Sequence, residues 1–260
     1  MRLLFRFLSI PLLLTPVLAH ADTTYTDGTF NLASYTATPT FASGTTGTAS
    51  QCATCGNPGQ ALQFVVGATI TDSAYSQGFT ANGFTYDPQT QGALGSIDAS
   101  VDKDVTVDFL TDNFGNTFHP LIEQDGTYFL ASIPGTVLNL GAGGGTTGYL
   151  TFSANGLTAA DFLSYDFATG TFGTANPNFS GDALQFGLAQ TTSFTNGSTD
   201  GTFTADYDNL NISLQPSVIP NPVPEPSSLL LLASGMAAAA RFARRRRADG
   251  RRPHNLRIAV

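Results

Sequence analysis

The chain has 260 residues and a formal net charge of −8, but its charges are unevenly distributed. Residues 22–223 contain seventeen acidic side chains against one basic residue, Lys103, a net charge of −16, whereas eight arginines lie in residues 241–260. So acidic a segment repels nucleic acid phosphates and anionic lipid headgroups, which excludes nucleic acid as a partner and favours divalent cations or neutral polymers.

Residues 1–21 have the pattern of a secretory signal peptide. Arg2 and Arg6 form a short basic start, and an uncharged apolar run follows. Ala19-His20-Ala21 then provides a cleavage site of small residues. A buried N-terminal helix is the alternative, but the run is too short to span a bilayer and polar, threonine-rich sequence follows it directly. The pattern predicts export to the cell envelope, the outer surface or the extracellular space.

Residues 22–215 have the pattern of an all-β domain, because short alternating runs are separated by turn-forming residues. Val105, Val107 and Phe109, for example, alternate with polar residues, as in a sheet with one face in water. About ten such runs, with almost no helical periodicity, predict one antiparallel β-sandwich of the jelly-roll type. A single helical turn is predicted at residues 158–163. The candidate strands are residues 26–35, 62–70, 78–86, 94–100, 105–110, 117–124, 127–133, 148–153, 183–189 and 202–214.

Cys52 and Cys55 are the two cysteines of the chain, and they directly precede the turn-forming Gly56-Asn57-Pro58-Gly59. A redox centre with this spacing needs a βαβ unit, and a metal site needs two more soft ligands; the sequence offers neither. In an oxidising compartment the pair is predicted to form a local disulfide. Closing so short a loop stabilises the domain by about 2 kcal/mol at most.

Catalytic chemistry has little support in the acidic segment. Residues 22–223 contain one histidine, His119, and no arginine, which argues against nucleophile–base triads and multi-histidine metal sites. His119 precedes Pro120 and is interpreted as a turn or edge-strand residue. Paired carboxylates of the glycoside hydrolase type stay open as an alternative. Acidic residues close in sequence are Asp102, Asp104, Asp108, Asp112, Glu123 and Asp125. Alternating aspartates on a strand usually form a solvated face, and we therefore predict no catalytic site.

Aromatic side chains are the better candidates for ligand binding, because the apolar face of a sugar packs on an aromatic plane. Tyrosines on one concave face would suit this role, whereas the same residues can equally fill the core. The candidates are Tyr25, Tyr35, Tyr75, Tyr86, Tyr128 and Tyr149.

The composition changes after residue 215. Residues 216–223 are proline-rich, which cannot continue a sheet and predicts an extended linker. Pro224-Glu225-Pro226 then precedes an uncharged run to Ala240 and the arginine cluster. As a helix this run reaches about 22 Å, short of a hydrocarbon core of roughly 30 Å, but snorkelling arginines make a short transmembrane helix feasible. The arginines place this end in the cytoplasm and the folded domain outside.

This order of Val-Pro-Glu-Pro-Ser, a short apolar helix and an arginine-rich end resembles the sorting signals of the PEP-CTERM family. The resemblance implies that an exosortase recognises Pro224, Glu225 and Pro226 in a membrane-anchored precursor and cleaves near them. It also implies a Gram-negative host that makes extracellular polysaccharide. We assign the sorting signal to residues 224–252 and a polar tail to residues 253–260. An ordinary tail anchor that keeps the helix is the alternative.

The body also resembles jelly-roll domains of PEP-CTERM proteins, through three short motifs. These are Asp27-Gly28-Thr29-Phe30-Asn31, Phe84-Thr85-Tyr86-Asp87-Pro88 and Asp206-Tyr207-Asp208-Asn209-Leu210. In related carbohydrate-binding jelly rolls, carboxylates from adjacent early and late strands hold a structural calcium. The resemblance therefore implies Asp27 and Asp208 as calcium ligands.

Three functions from different classes stay open at this point. The first is a surface or matrix module that binds glycans or other envelope components, and the second is a purely structural adhesive or filler protein. The third is a polysaccharide-active enzyme. The leading hypothesis is an exported, exosortase-sorted protein that acts as a binding or structural module associated with exopolysaccharide.

Overall fold

The computed structural model describes residues 22–68, 72–108, 113–131, 133, 144–195, 201–217 and 234. The predicted signal peptide and the predicted C-terminal helix lie outside these residues, apart from Ser234. The described residues form an all-β sandwich of two antiparallel sheets, as predicted. The strands, numbered in chain order, are β1 (Thr23–Asp27), β2 (Tyr35–Ala37), β3 (Phe41–Ser43), β4 (Thr45–Gly56), β5 (Gly59–Ala68), β6 (Ser73–Tyr86), β7 (Leu94–Asp108), β8 (Asn113–Gln124), β9 (Thr127–Ala131), β10 (Gly145–Thr146), β11 (Leu150–Leu157), β12 (Phe162–Asp166), β13 (Thr171–Phe172), β14 (Leu184–Thr195) and β15 (Thr202–Pro216).

Three short helical segments connect strands: Leu32–Ser34, Pro88–Gln91 and Ala159–Asp161. The last confirms the helical turn predicted at residues 158–163. Its start is fixed because the backbone N–H of Thr158 donates to Asp161 Oδ2 at 2.8 Å.

Sheet A has the strand order β10-β7-β15-β5-β4, with β1 also paired to β15 and β11 to β7. Its centre is the long pair of β7 and β15, which holds one register from Asp108↔Thr202 to Asp102↔Asp208. The prediction of two separate strands at residues 94–100 and 105–110 was wrong, because β7 is continuous. The polar residues between the two predicted runs keep the period of two and therefore do not interrupt the strand.

Sheet B has the strand order β13-β12-β9-β8-β14-β6-β2, with β3 also paired to β6. Strand β14 is central, since it pairs with β8 on one side and with β6 on the other. The inner faces of the two sheets meet in a core whose aromatic rings come from both. Contacts between the sheets include Phe64 with Phe79 at 5.8 Å between ring centroids, Phe118 with Tyr207 at 6.2 Å, and Phe194 with Phe203 at 5.9 Å. Burying each such side chain stabilises the fold by about 1.5 to 3 kcal/mol.

A polar network crosses the core between the sheets. Lys103 of β7 is fully buried, and its Nζ donates to the backbone oxygen and to Oδ1 of Asn116 of β8, each at 3.1 Å. Asn116 Nδ2 donates to Gln190 and Thr192 of β14, both at 3.0 Å. The hydroxyl of Tyr207 of β15 lies 3.1 Å from Asn116 Oδ1 and 3.2 Å from Gln190 Oε1. The network therefore links side chains of both sheets.

Candidate functional site

The outer face of sheet B contains a cavity of about 280 Å³, which we call the sheet B pocket. Its floor consists of small and hydroxyl-bearing side chains from β6, β8 and β14, which point away from the core because they alternate with buried residues. These floor residues are Ala74, Gly115, Thr117, Thr191 and Ser193. Larger aromatic side chains form the wall: Phe41, Tyr165 and Phe172. A pocket with an aromatic wall and a hydroxyl-bearing floor can bind a ligand that has both an apolar face and hydroxyl groups.

Phe172 is the aromatic group of the pocket that is most open to water. Its side chain is 50% exposed, although it packs edge-on against Tyr165 with ring centroids 4.8 Å apart. It lies on the two-residue strand β13, in the sequence Gly-Thr-Phe-Gly. Burying an exposed aromatic ring against a ligand is favourable, so Phe172 can serve as a stacking platform.

His119 sets the direction of one hydrogen bond at the floor of the pocket. Its Nδ1 lies 3.0 Å from the carbonyl oxygen of Ala131, and its Nε2 lies 2.9 Å from Thr191 Oγ1. Burial lowers the pKa of His119 to about 4, so the ring is neutral at pH 7. A carbonyl oxygen can only accept; Nδ1 therefore donates and Nε2 accepts from the Thr191 hydroxyl. Thr191 Oγ1 is thus left as an acceptor toward the pocket.

His119 does not lie in a turn. It lies within β8 and is 2% exposed, but it comes before the register with β9 begins, so at this residue β8 pairs with β14 alone, as in an edge strand. Pro120 has no N–H to donate, and the paired register of β8 with β9 ends at Leu121↔Leu130. The His119 side chain donates to Ala131 instead, which is how a proline is accommodated next to a paired strand.

Four aspartates of β7 and β15 lie in two opposed pairs on the outer face of sheet A. Asp104 lies opposite Asp206 and Asp102 lies opposite Asp208 in the register of β7 and β15. Burial raises the pKa of Asp206 to about 6, and the charge of Asp104 acts in the same direction. Burial also raises the pKa of Tyr149, and all four carboxylates add to that rise.

The turn between β4 and β5 packs over this acidic face. Cys52 and Cys55 are joined by a disulfide in the structure, with their Cα atoms 5.5 Å apart. The hydroxyl of Tyr149 donates to the carbonyl oxygen of Cys55. The backbone N–H of Asn57 donates to Asp208 Oδ2 at 2.5 Å, and Asp208 is fully buried. The disulfide therefore closes a short loop that ends two residues before Asn57, the residue whose N–H binds the buried Asp208 carboxylate.

Asp27 and Asp208, the predicted calcium ligands, are both bonded to protein donors. Asp27 Oδ1 accepts from the backbone N–H groups of Thr29 and Phe30, and Oδ2 accepts from the hydroxyl of Tyr35. Asp208 accepts one backbone N–H on each oxygen. Within the described ranges, no group of three or more histidine, cysteine, aspartate or glutamate side chains could hold a metal ion. These bonds satisfy both carboxylates without a cation, and the calcium site stays a prediction.

The acidic residues that are close in sequence are divided between the two sheets. Asp102, Asp104 and Asp108 belong to β7 in sheet A, whereas Glu123 is the second-last residue of β8 in sheet B and Asp125 follows in the next turn. Asp112 lies outside the described residues. The sequence cluster therefore does not form one site.

The predicted tyrosines mostly belong to the core. Tyr35, Tyr75 and Tyr86 are buried, and Tyr25 stacks on Phe84 with ring centroids 5.0 Å apart. Tyr75 also lines the sheet B pocket, whereas the other aromatic residues of its wall, Phe41, Tyr165 and Phe172, were not among the predicted candidates. The available signal for Phe172 was an aromatic residue within the short glycine-containing segment Gly170-Thr171-Phe172-Gly173.

The family model for the PEP-CTERM protein-sorting motif matches residues 222–247. This confirms the resemblance found at the C-terminus, where the chain carries this motif. No curated protein matches the chain. In the part of the chain with described structure, no helix has the length and apolar character needed to cross a membrane.

The sandwich is similar to solved β-sandwich modules at low sequence identity. One is a family 11 carbohydrate-binding module from Clostridium thermocellum in complex with a β-1,3-1,4-mixed-linked tetrasaccharide, at 10% identity and a TM-score of 0.39, covering 75% of this chain and 96% of that chain. Another is the CBM22-1 xylan-binding domain of Paenibacillus barcinonensis Xyn10C, at 11% identity and a TM-score of 0.31, covering 77% and 99%. A third is the mannan-recognising module TmCBM27, at 11% identity and a TM-score of 0.34, covering 75% and 99%.

Proposed function

We propose that this protein binds neutral polysaccharide at the cell surface through the sheet B pocket. The C-terminal motif supports the location, because it indicates an exported, membrane-anchored precursor that is sorted to the surface. Pro224, Glu225 and Pro226 are the residues that an exosortase-type enzyme would recognise. Exopolysaccharide made by the host is the polymer that such a protein meets there.

The proposed organisation has five segments. Residues 1–21 are a cleaved signal peptide and residues 22–215 the acidic β-sandwich. A proline-rich linker over residues 216–223 separates the sandwich from the sorting signal at residues 224–252, and residues 253–260 form a polar tail. In this organisation the membrane holds only the precursor, through the short C-terminal helix.

Processing at both ends predicts the mass of the exported protein. We expect an intact mass that corresponds to a chain beginning at Asp22 and ending near Pro226, measured on material released from the cell surface. Replacing Pro224, Glu225 and Pro226 together by alanine should leave the C-terminal segment uncut and the protein in the membrane fraction. A released product that still contains residues 229–247 would contradict processing and favour the tail anchor.

The sheet B pocket is the observation that carries the binding proposal. An exposed aromatic ring, Phe172, stands beside a floor that presents Thr117, Thr191 and Ser193. A pyranose ring has an apolar face and several hydroxyls, so it matches both parts of the pocket. The net charge of −16 over residues 22–223 disfavours uronic acids and sulfated sugars, which leaves neutral sugars as the ligand class.

Replacing Phe172 by alanine should weaken glycan binding by about tenfold, which corresponds to about 1.4 kcal/mol. The ring is half exposed, so its loss removes the stacking platform with little loss of core packing. Binding is measured on an array of neutral and acidic glycans and then by titration with each polysaccharide that binds.

Leu150→Ala is the matched control for this variant. Leu150 is 47% exposed and lies on β11 of sheet A, away from the pocket, so its replacement should leave binding unchanged. Equal binding by wild type and Phe172→Ala would contradict the pocket as the site. Failure of the wild type to bind any glycan would favour the structural role over binding.

A further inference from the structure

The hairpin of β12 and β13 lies across the outer face of sheet B. In a flat sheet, four strand spacings would separate β12 from β6 by about 19 Å. The hydroxyl of Tyr165 on β12 nevertheless donates to Ser76 Oγ on β6 at 2.9 Å. This end of the sheet is therefore curled over the face of the strands that form the pocket floor.

The turn after β12 is packed directly onto that face. A Cβ atom built on Gly78 of β6 would lie 3.1 Å from Phe167 Cζ, so the Phe167 ring rests on the backbone of β6. Phe167 and Tyr165 also belong to a small buried cluster with Leu121 and Ala189 on the outer face. Tyr165 and Phe167 therefore contact the outer face of the sheet directly.

The tip of the hairpin reaches the opposite edge of the sheet. Gly170 has a φ of 68°, and a Cβ atom at this position would overlap the ring of Phe41 on β3. Only glycine allows both this backbone conformation and this close contact. The hairpin therefore spans the face from its own edge strands to β3.

Cavities lie on both sides of Tyr165. The sheet B pocket lies on one side, with Tyr165, Gly170 and Phe172 in its wall. A second cavity of about 350 Å³ lies beside Thr127 and Tyr128 and shares only Tyr165 with the first. A further cavity of about 230 Å³ lies on the hairpin itself, where it is lined by Ser164, Thr171 and Gly173 and shares Tyr165 and Phe172 with the sheet B pocket. Tyr165 is thus a partition that is hydrogen-bonded to the floor.

We infer that the sheet B pocket binds the end of a neutral glycan chain and not an internal stretch, an inference that rests on the proposed function. A sugar seated against Phe172 is bounded on one side by the Tyr165 partition, which lies against β6. A chain that continued in that direction would have to pass through packed side chains. The glycan therefore enters the pocket from the side opposite Tyr165, and its last sugar lies against Tyr165.

Chain length is the property that tests this inference. We would titrate the exported protein with gluco-, manno-, xylo- and galacto-oligosaccharides of one, two and six sugar units. For the sugar that binds, we expect the hexasaccharide and the disaccharide to have Kd values within about threefold of each other. A hexasaccharide that binds more than about tenfold tighter than the disaccharide would overturn the inference while supporting the proposed function.

A second measurement uses the number of chain ends. Partial hydrolysis of the bound polysaccharide should raise the amount of protein bound per milligram in proportion to the new ends. Binding that stays proportional to polymer mass would overturn chain-end recognition. Phe172→Ala should abolish the increase. If neither the glycan array nor any of these oligosaccharides binds, the proposed function fails and the inference fails with it.

Discussion

Methionine in place of Lys103 should raise the free energy of unfolding at pH 7 by about 2 kcal/mol or more. Lys103 is fully buried on the inner face of β7, and burial lowers its pKa from 10.5 to about 7. That difference corresponds to roughly 5 kcal/mol of cost for holding the charge in the core. This cost remains although Lys103 donates to Asn116 and its Nζ lies 4.9 Å from the Phe152 ring centroid.

The packing favours methionine as the replacement. It has nearly the length of the lysine stem and no charge, and buried ions replaced by apolar residues of similar volume often stabilise a protein by roughly 1 to 4 kcal/mol. Asn116 Oδ1 keeps a partner in the variant, because the hydroxyl of Tyr207 lies within 3.1 Å of it. The backbone oxygen of Asn116 loses the Lys103 donor, a cost smaller than that of the buried charge.

The same residue makes stability depend on pH. Below pH 7 lysine is protonated in both states, and the folded protein bears the full cost of the buried charge. Between pH 7 and 10.5 the folded protein has released the proton while the unfolded chain still binds it, so stability rises with pH. Above about pH 10 stability falls again, because burial raises the pKa of Tyr207 and the unfolded tyrosine ionises first.

Chemical denaturation of wild type and Lys103→Met from about pH 6 to pH 9.5 measures this effect. The wild-type free energy of unfolding should increase over that range, and the variant should be more stable and nearly independent of pH above about pH 7.5, where His119 no longer titrates. A wild-type profile that is flat and coincides with that of the variant would show that Lys103 does not carry a buried charge.

The inward position of Lys103 was available from the sequence, whereas its surroundings were not. The alternation that places Val105 and Val107 inside also places Lys103 inside, because strand side chains alternate with a period of two. The alternation does not predict the hydrogen-bond partners of Lys103. Asn116 and Gln190 come from the other sheet, and only the packing of the two sheets brings them to the lysine.

The sheet B pocket could not be predicted from the sequence either. Sequence patterns predicted the fold class and the strands β5 to β9, β11, β14 and β15. The strand predicted at residues 26–35 was wrong, because β1 ends at Asp27 and a helical segment follows at Leu32–Ser34. The patterns also missed the short strands β3, β10, β12 and β13, and β4 (Thr45–Gly56), whose threonine, serine and glycine residues lack apolar alternation. They also did not predict the curled β12–β13 hairpin, because Tyr165 and Ser76 are far apart in the chain. The proposed binding face depends on this non-local contact, and a local pattern carries no information about it.

Glutamine in place of His119 should remove a loss of stability that the wild type suffers in mild acid. Burial lowers the pKa of His119 from 6.5 to about 4, and the charge of Lys103 adds to the effect. Between pH 6.5 and 4 the unfolded chain therefore binds a proton that the folded protein does not, so stability falls as pH falls. The full difference corresponds to roughly 3 kcal/mol.

Asp206 acts in the opposite direction over part of the same range. Its pKa is raised from 3.8 to about 6 by burial and by Asp104, so the folded protein holds a proton that the unfolded chain has lost. Stability from this group falls as pH rises from 3.8 to 6. The pH dependence of the wild-type unfolding free energy is therefore smaller than the contribution of His119 alone. The difference in unfolding free energy between wild type and His119→Gln isolates that contribution.

The expected result is a difference in unfolding free energy that changes by about 2 to 3 kcal/mol between pH 7 and pH 4, in favour of the variant at low pH. Glutamine carries a side-chain oxygen that can accept from the Thr191 hydroxyl as His119 Nε2 does, so the comparison changes the titration and keeps the floor of the pocket. At pH 7 the variant should be somewhat less stable, because the ring fills buried space beneath Phe172.

A difference that stays constant with pH would mean that His119 titrates alike in the folded and unfolded states. The histidine would then be charged at low pH, and Thr191 would no longer be held as an acceptor for the sugar.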